Sequence, residues 1–288
     1  QAILARMLQT PGVRLLAPAR VSGLDCGARG VTATLADGRQ LKARLAIAAD
    51  GRDSRTREAA GIRITRWSYQ QTAIVCTVRH QRPHCGVAHE HFLPAGPFAI
   101  LPLAPGDRSS IVWTERAKLA PLIMAGSDAQ FLDELRRRFG DFLGEIHIEG
   151  PRFSYPLSLQ YAERSVGERL ALVGDAAHAM HPIAGQGLNM GFRDVAALAH
   201  VLADARARRR DLGARAVLAR YQRWRRFDNT LMLALTDGLT RLFSNDITPI
   251  RAARDLGLAA VNRMPTLKRV FIRHAMGIVG DLPRLMRD

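Results

Sequence analysis

The chain has 288 residues, 47% of them hydrophobic, and a formal net charge of +16. That length allows one or two domains with real cores, and that hydrophobic content excludes a disordered chain. No apolar run approaches the ~18 residues needed to span a bilayer, and no secretory signal is visible. Three cysteines (Cys26, Cys76 and Cys85) form no C-x-x-C pair, an odd count that favours reduced thiols in the cytoplasm over a disulfide framework.

Residues 1–9, QAILARMLQ, read as a helix, and the stretch to residue 61 then reads as strands and a hairpin. Asp37-Gly38 lies between VTATLA and RQLKARLAI, the pattern of two strands joined by a tight turn, and carries no function. The apolar run LAIAA leads instead into Asp50-Gly51, followed by a Ser/Arg-rich helix start with Arg52, Arg55 and Arg57. Taken alone, that segment reads as a surface turn with solvated arginines.

From about 62 to 165 alternation dominates, as in TAIVCTVRH, AHEHFLP, FAILPLA and SSIVWTE, which predicts a mostly antiparallel sheet with one polar face. One helix, Asp128 to Phe139, interrupts it. His80, His84, His89 and His91 lack Cys or carboxylate partners at ligand spacing, so they read as surface or strand residues and no metal site is expected.

The segment Leu170 to Asp194, LALVGDAAHAMHPIAGQGLNMGFRD, is the most informative in the chain. A strand-like run, LALV, ends in Gly174-Asp175, where a carboxylate is placed to accept hydrogen bonds from sugar or ribitol hydroxyls. Gly174 removes a side chain that would block close approach. Pro182 stiffens the next turn, and Gly185 and Gly187 allow backbone angles other residues resist. From about Gln186 a helix is predicted, with Leu188, Phe192, Val195, Leu198 and Leu202 at spacings of three and four. Its first turn offers N–H groups and the positive end of the helix dipole to negative charge. The glycines run G-x-G-x-x-x-G with no strand leading straight into them, so this is not an ADP-binding βα turn. Any one of these residues fits an ordinary loop; the ordered string fits a polar, anionic cofactor.

From 201 onward the pattern is helical, and residues 201–288 hold 18 Lys and Arg against 8 Asp and Glu, +10 of the +16. Aromatics are few and no nucleic-acid motif accompanies the charge, so nucleic acid is not an expected partner. Arg206, Arg208, Arg209 and Arg210 read as a solvated helix end. In the tail, Met264, Leu267, Val270, Phe271, Ala275, Ile278 and Val279 interleave with Lys268, Arg269, Arg273 and His274. Such a basic amphipathic segment either lies on an anionic membrane or packs on the protein.

The string GDAAHxxHPxxGQGxNxGxRD resembles the second flavin-binding motif of class A FAD-dependent aromatic hydroxylases, and most of all the branch acting in ubiquinone biosynthesis. Residues 49–57, ADGRDSRTR, are similar to the family's A-D-G-x-x-S-x-x-R motif, which serves both FAD and NAD(P)H. The spacing between the motifs and the segment FDNTLMLALTDGLTRLFSND extend the likeness over most of the chain. The resemblance implies an α/β (α+β) fold. In it, a discontinuous, Rossmann-like FAD-binding domain (1–61 and 166–200) flanks an inserted antiparallel substrate sheet (62–165), and a helical region (201–288) follows. The family's opening βαβ unit, with its G-x-G-x-x-G turn for the ADP half of FAD, is not found after Gln1, so the chain reads as a partial gene product.

The implied function is hydroxylation of the aromatic ring of a polyprenylated phenol, with FAD as cofactor, NAD(P)H as co-substrate and O2 as oxygen source. In that reading Asp175 binds the ribityl chain and follows Gly174. Pro182 lines the flavin ring, and Gly185, Gln186, Gly187, Leu188 and Asn189 bring backbone to its pyrimidine edge. Asp50, Gly51 and Arg57 organise the nucleotide side. No catalytic acid or base is singled out. Contact with the inner face of a membrane, or with a quinone-synthesis assembly, is the expected partnership. Two alternatives stand beside it, a flavin-dependent reductase of prenyl chains and a non-catalytic module binding a lipid or partner.

Overall fold

A computed structural model describes residues 2–244, 257, 261–266, 269 and 282–287. Apart from Met264 and Arg269, the expected basic amphipathic tail lies outside the described residues. Helix α1 (Ala2–Gln9) opens the chain. Strands β1 (Val21–Gly27), β2 (Gly30–Leu35) and β3 (Gln40–Ala43) then form an antiparallel sheet. Asp37-Gly38 makes the β2–β3 turn, with Gly38 at φ +87°. Strand β4 (Ala46–Ala48) and helix α2 (Arg55–Ala59) follow.

The second unit is a six-stranded antiparallel sheet. It comprises β5 (Ile64–His80), β6 (His89–Leu93), β7 (Gly96–Leu103), β8 (Arg108–Arg116), β9 (Ile146–Ala162) and the two-residue β12 (His178–Ala179), in the order β12-β9-β5-β8-β7-β6. Helix α4 (Asp128–Phe139) has the expected bounds. Ser127 accepts from Gln130 N–H while the Gln130 side chain reaches back to Ser127 N–H, and this reciprocal cap fixes its start. Phe131, Leu135 and Phe139, four residues apart, fall on one stripe and pack on Ile74, Phe98, Ile111 and Trp113. A second helix, α3 (Ala120–Ala125), breaks the sheet pattern too; at six residues it is too short to show a period.

Rows of paired residues alternate between the two faces. Ile74, Trp113 and Phe98 form one row on the α4 side. The adjacent row, Phe153, Val75, Val112 and Ala99, faces away from α4. That face is apolar along this row rather than polar, which corrects the simple alternation expected from the sequence.

Strands β10 (Val166–Gly167) and β11 (Leu170–Leu172) return the chain to β4. β11 runs parallel to β4 with Leu170 opposite Ala46 and Leu172 opposite Ala48, and all three β11 residues are buried. Helices α5 (Gly187–Ala207) and α6 (Arg215–Phe243) cover this sheet through Leu198, Val201, Val217, Leu218 and Tyr221. Of the five residues whose spacing predicted α5, Leu198 is buried and Leu202 packs beside the same core, unlike the first three. Leu188, Phe192 and Val195 are exposed, while Met190, Asp194, Ala197, Val201 and Ala205 are buried.

Candidate cofactor site

The parallel pairing of β4 and β11 brings together two segments that the sequence separates by about 120 residues. β4 runs out into Asp50-Gly51 and β11 into Gly174-Asp175, so both acidic turns leave the carboxyl ends of adjacent strands, the usual place for ligands in α/β sheets.

At the first turn, Gly51 has φ +82° and Asp50 is exposed. Asp50 Oδ2 accepts from Thr56 N–H at 3.1 Å, and Ser54 caps α2 by accepting from Arg57 N–H at 3.0 Å. Burial alone raises the Asp50 carboxyl, but hydrogen bonds from Ser54 and Thr56 outweigh it and hold the carboxyl below its ordinary value. Arg57 is fully buried rather than solvated. Its Nη1 donates to the carbonyls of Arg52 (2.9 Å) and Ala176 (3.1 Å), tying the first turn to the second. Arg52 reaches Ser158 Oγ at 3.3 Å, and Gln160 Nε2 donates to the Arg52 carbonyl at 2.8 Å, so the large sheet is fastened to the same turn.

At the second turn, Gly174 sits at φ +58° and Asp175 is exposed within a single 3-10 turn. A Cβ on Gly174 would meet Gly191 Cα of α5 at 3.8 Å, and one on Gly191 would meet Gly174 Cα at 3.5 Å. The space spared by Gly174 thus belongs to α5, and its backbone angle is the stronger reason for glycine. Pro182 is exposed and opens a second 3-10 turn that ends at Gly185 with φ +59°. Gly187 takes no left-handed angle, contrary to expectation; it starts α5 with open space where a Cβ would lie. The first bond of α5 runs from Met190 N–H to the Gln186 carbonyl, which leaves the N–H groups of Gly187, Leu188 and Asn189 outside the helix ladder. Asn189 Nδ2 donates to Gln186 Oε1 at 3.3 Å.

These features fit the ribityl and ring portion of a flavin: an exposed carboxylate, open space at Gly185 and Gly187, and unladdered N–H groups at the positive end of a long helix. Asp50, Gly51, Gly174, Asp175, Pro182, Gly185, Gln186, Gly187, Leu188 and Asn189 line the two turns and the helix start, with Arg57 buried between the turns.

Several neighbours went unmarked in the sequence reading. Asp194 is fully buried beneath Gly174 and accepts from Gly174 N–H (3.0 Å), His178 Nε2 (2.7 Å) and Arg225 Nε (2.7 Å). Burial raises its carboxyl, but His178 and Arg225 more than offset this and hold it below the ordinary range. His181 is buried beside Pro182, and its Nδ1 accepts from Ile183 N–H at 3.1 Å, so the neutral ring carries its proton on Nε2. Burial pushes its pKa down to about 4. The Tyr69 ring meets His181 edge-on at 5.1 Å, and Asp237 of α6 accepts from Tyr69 Oη (2.9 Å) and Trp67 Nε1 (3.2 Å). The available signal was a charge at position 194 on a helix face otherwise built of Met, Ala and Val. Among the described residues, no group of three or more His, Cys, Asp or Glu side chains comes together as for a metal ion.

Residues 1–231 match the family described as an FAD binding domain. The ubiquinone hydroxylase UbiL of Rhodospirillum rubrum is 59% identical over 290 residues, covering 100% of this chain and 67% of that protein. The 3-demethoxyubiquinol 3-hydroxylase of Escherichia coli is 37% identical over 244 residues, covering 85% of this chain and 62% of that protein. The p-nitrophenol 4-monooxygenase PnpA of Pseudomonas putida has the same fold, with a TM-score of 0.76 at 20% identity over 94% of this chain and 69% of that one. The chain thus spans about two thirds of the length of the curated relatives it matches.

Proposed function

The chain belongs to the FAD-binding-domain family, among the FAD-dependent hydroxylases of ubiquinone biosynthesis, and from that premise we propose that its substrate is a polyprenylated phenol hydroxylated on the ring at the expense of NAD(P)H and O2. The observation that carries this reading is the parallel β4–β11 pair, which sets Asp50-Gly51 beside Gly174-Asp175 at the start of α5. Bound FAD would supply the redox chemistry and the activation of O2. The chain supplies position and electrostatics.

Asp175 accepts hydrogen bonds from the ribityl hydroxyls. The N–H groups of Gly187, Leu188 and Asn189 face the pyrimidine edge, where the helix dipole stabilises negative charge. Pro182 lies against the ring, with Gly185 and Gln186 shaping the approach. Asp50 and Gly51 serve the nucleotide side, and Arg57 acts there through the two carbonyls it holds. Residues 1–61 and 166–200 form one discontinuous cofactor domain around the substrate sheet of 62–165, with the helical region from 201 on; the pairing of β4 with β11 supports that division. The apolar row Phe153, Val75, Val112 and Ala99 suits the floor of a hydrophobic substrate cavity.

The test is flavin content. In the full-length protein, Asp175→Ala is expected to empty the site; retained stoichiometric FAD would remove Asp175 from its role.

A polyprenylated substrate resides in a bilayer, and the reading therefore includes contact with an anionic membrane face. No helix among the described residues is long and apolar enough to cross a membrane. Support comes from α6, where Phe227, Leu231, Leu235 and Leu239 recur every four residues and are exposed, Phe227 at 71%, with Arg223 and Arg226 exposed nearby. That combination suits an apolar face dipping between anionic headgroups. Cosedimentation with anionic phospholipid vesicles is expected to fall for Phe227→Asp, and unchanged binding would refute the contact.

A further inference from the structure

We propose that Asp194, clamped by Arg225 and His178, is the positioning residue of the cofactor site, fixing the turn that carries Asp175 against the first turns of α5. The inference rests on the reading that this turn and helix start hold a flavin.

Asp194 lies two turns into α5 with its carboxylate out of reach of solvent. One oxygen, Oδ2, accepts both the backbone N–H of Gly174 and the imidazole Nε2 of His178; the other accepts Arg225 Nε. Arg225, 2% exposed, donates its two remaining nitrogens to Asp228 Oδ2 (2.7 Å) and Asn229 Oδ1 (2.8 Å), so it cannot swing away. One turn earlier in α6, Tyr221 Oη donates to the Leu172 carbonyl at 2.8 Å. The exit of β11 is therefore gripped on both sides of Val173, at the Leu172 carbonyl by Tyr221 and at the Gly174 amide by Asp194. Gly191 of α5, lying beside Gly174, completes the seat.

Burying two charges to hold one amide is a poor way to gain stability, because desolvation consumes most of the attraction. Register is what such a pair provides. The amide it holds belongs to the residue immediately before Asp175, and the helix that bears it begins seven residues earlier with the N–H groups assigned to the flavin ring. A shift of the turn along α5 would separate the ribityl acceptor from the ring-binding N–H groups, and misplacement of about 1 Å is enough to cost ligand and rate dearly.

The experiment uses the full-length protein and three readouts: FAD affinity from flavin fluorescence quenching, visible circular dichroism of the bound flavin, and amide exchange at Gly174. Asp194→Asn is expected to weaken FAD binding by about tenfold or more and to alter the visible dichroism. Because that variant strands Arg225 and can unfold the chain, the double variant Asp194→Asn/Arg225→Met removes both charges and is expected to melt near the parent temperature while still binding FAD about tenfold more weakly. A double variant with parental melting, affinity and dichroism overturns the proposal. So does fast exchange of the Gly174 amide in the unaltered protein, a measurement that needs no variant. Asp175→Ala in the same assay separates the two readings. If it keeps FAD, the flavin site itself is misassigned. If it loses FAD while the Asp194 variants keep it, only the positioning role falls.

Discussion

Gly174 and Gly191 face each other across the site, and their replacement by alanine is expected to give opposite results. At Gly174, φ is +58°, an angle that costs an L-residue about 1–2 kcal/mol. Stiffening of the unfolded chain returns roughly 0.4–1 kcal/mol, so Gly174→Ala is expected to lose about 1 kcal/mol net. The added methyl itself meets Gly191 Cα at 3.8 Å, an ordinary contact that adds little. At Gly191, inside α5, the angle is helical and alanine gains up to about 1 kcal/mol of helix propensity. Its Cβ would stand 3.5 Å from Gly174 Cα, again ordinary contact, so Gly191→Ala is expected to be neutral or mildly stabilising. Urea unfolding at equal slope measures both, and flavin content is expected to fall only in Gly174→Ala. If Gly191→Ala destabilises as much as Gly174→Ala, close contact rather than backbone angle is what the pair requires, and the reasoning fails.

Trp113 is fully buried among Phe98 and Phe131 with the Arg138 guanidinium 4.3 Å from its ring, so Trp113→Ala is expected to cost about 3–5 kcal/mol in urea, and a loss under about 2 would contradict the packing account. Gly96→Ala is expected to lose about 2 kcal/mol or more, since a Cβ there would meet Thr114 Cγ2 at 2.5 Å with φ at +136°; a neutral result would mean the β6–β7 turn yields freely. His181 has a folded-state pKa of about 4 against 6.5 unfolded, so below 6.5 the unfolded chain binds the extra proton and stability declines as pH falls towards 4. Between pH 7 and pH 5 that one group is expected to remove roughly 2 kcal/mol, and His181→Leu to remove that part of the slope; an unchanged slope in the variant would exclude His181 as its source.

Local signals carried far in this chain. Ser127 and Gln130 announce the start of α4, Asp37-Gly38 announces a hairpin, and Gly185 takes the left-handed angle its motif predicted, whereas Gly187 does not and Gly174, expected only to allow close approach, does. What escaped depends on distance. The β4–β11 pairing joins segments about 120 residues apart, and no local pattern encodes which strand lies beside which. Of the residues whose spacing marked α5 as a helix, Leu198 and Leu202 pack inward while Leu188, Phe192 and Val195 stay exposed, because that spacing marks the helix and not which part of it meets the sheet. Arg57, taken alone, read as a solvated arginine and Asp194 carried no reading at all; only the fold reveals the carbonyls, the amide and the guanidinium that make their burial tolerable.

Helix α6 is 29 residues long, about 43 Å at 1.5 Å per residue, and it is anchored twice. Arg225 fixes it beneath the Gly174 turn through Asp194, and Asp237, about 18 Å further along, is held by Trp67 and Tyr69 of the large sheet. A rigid rod pinned at two such points is a lever with its fulcrum at Arg225. A tilt of about 5° there swings Asp237 by roughly 1.6 Å, well past the few tenths of an ångström by which its bonds to Tyr69 and Trp67 can lengthen and survive. The far anchor therefore sets the angle at which α6 meets the Gly174 turn, so two bonds from the large sheet orient a helix whose other duty lies about 18 Å away.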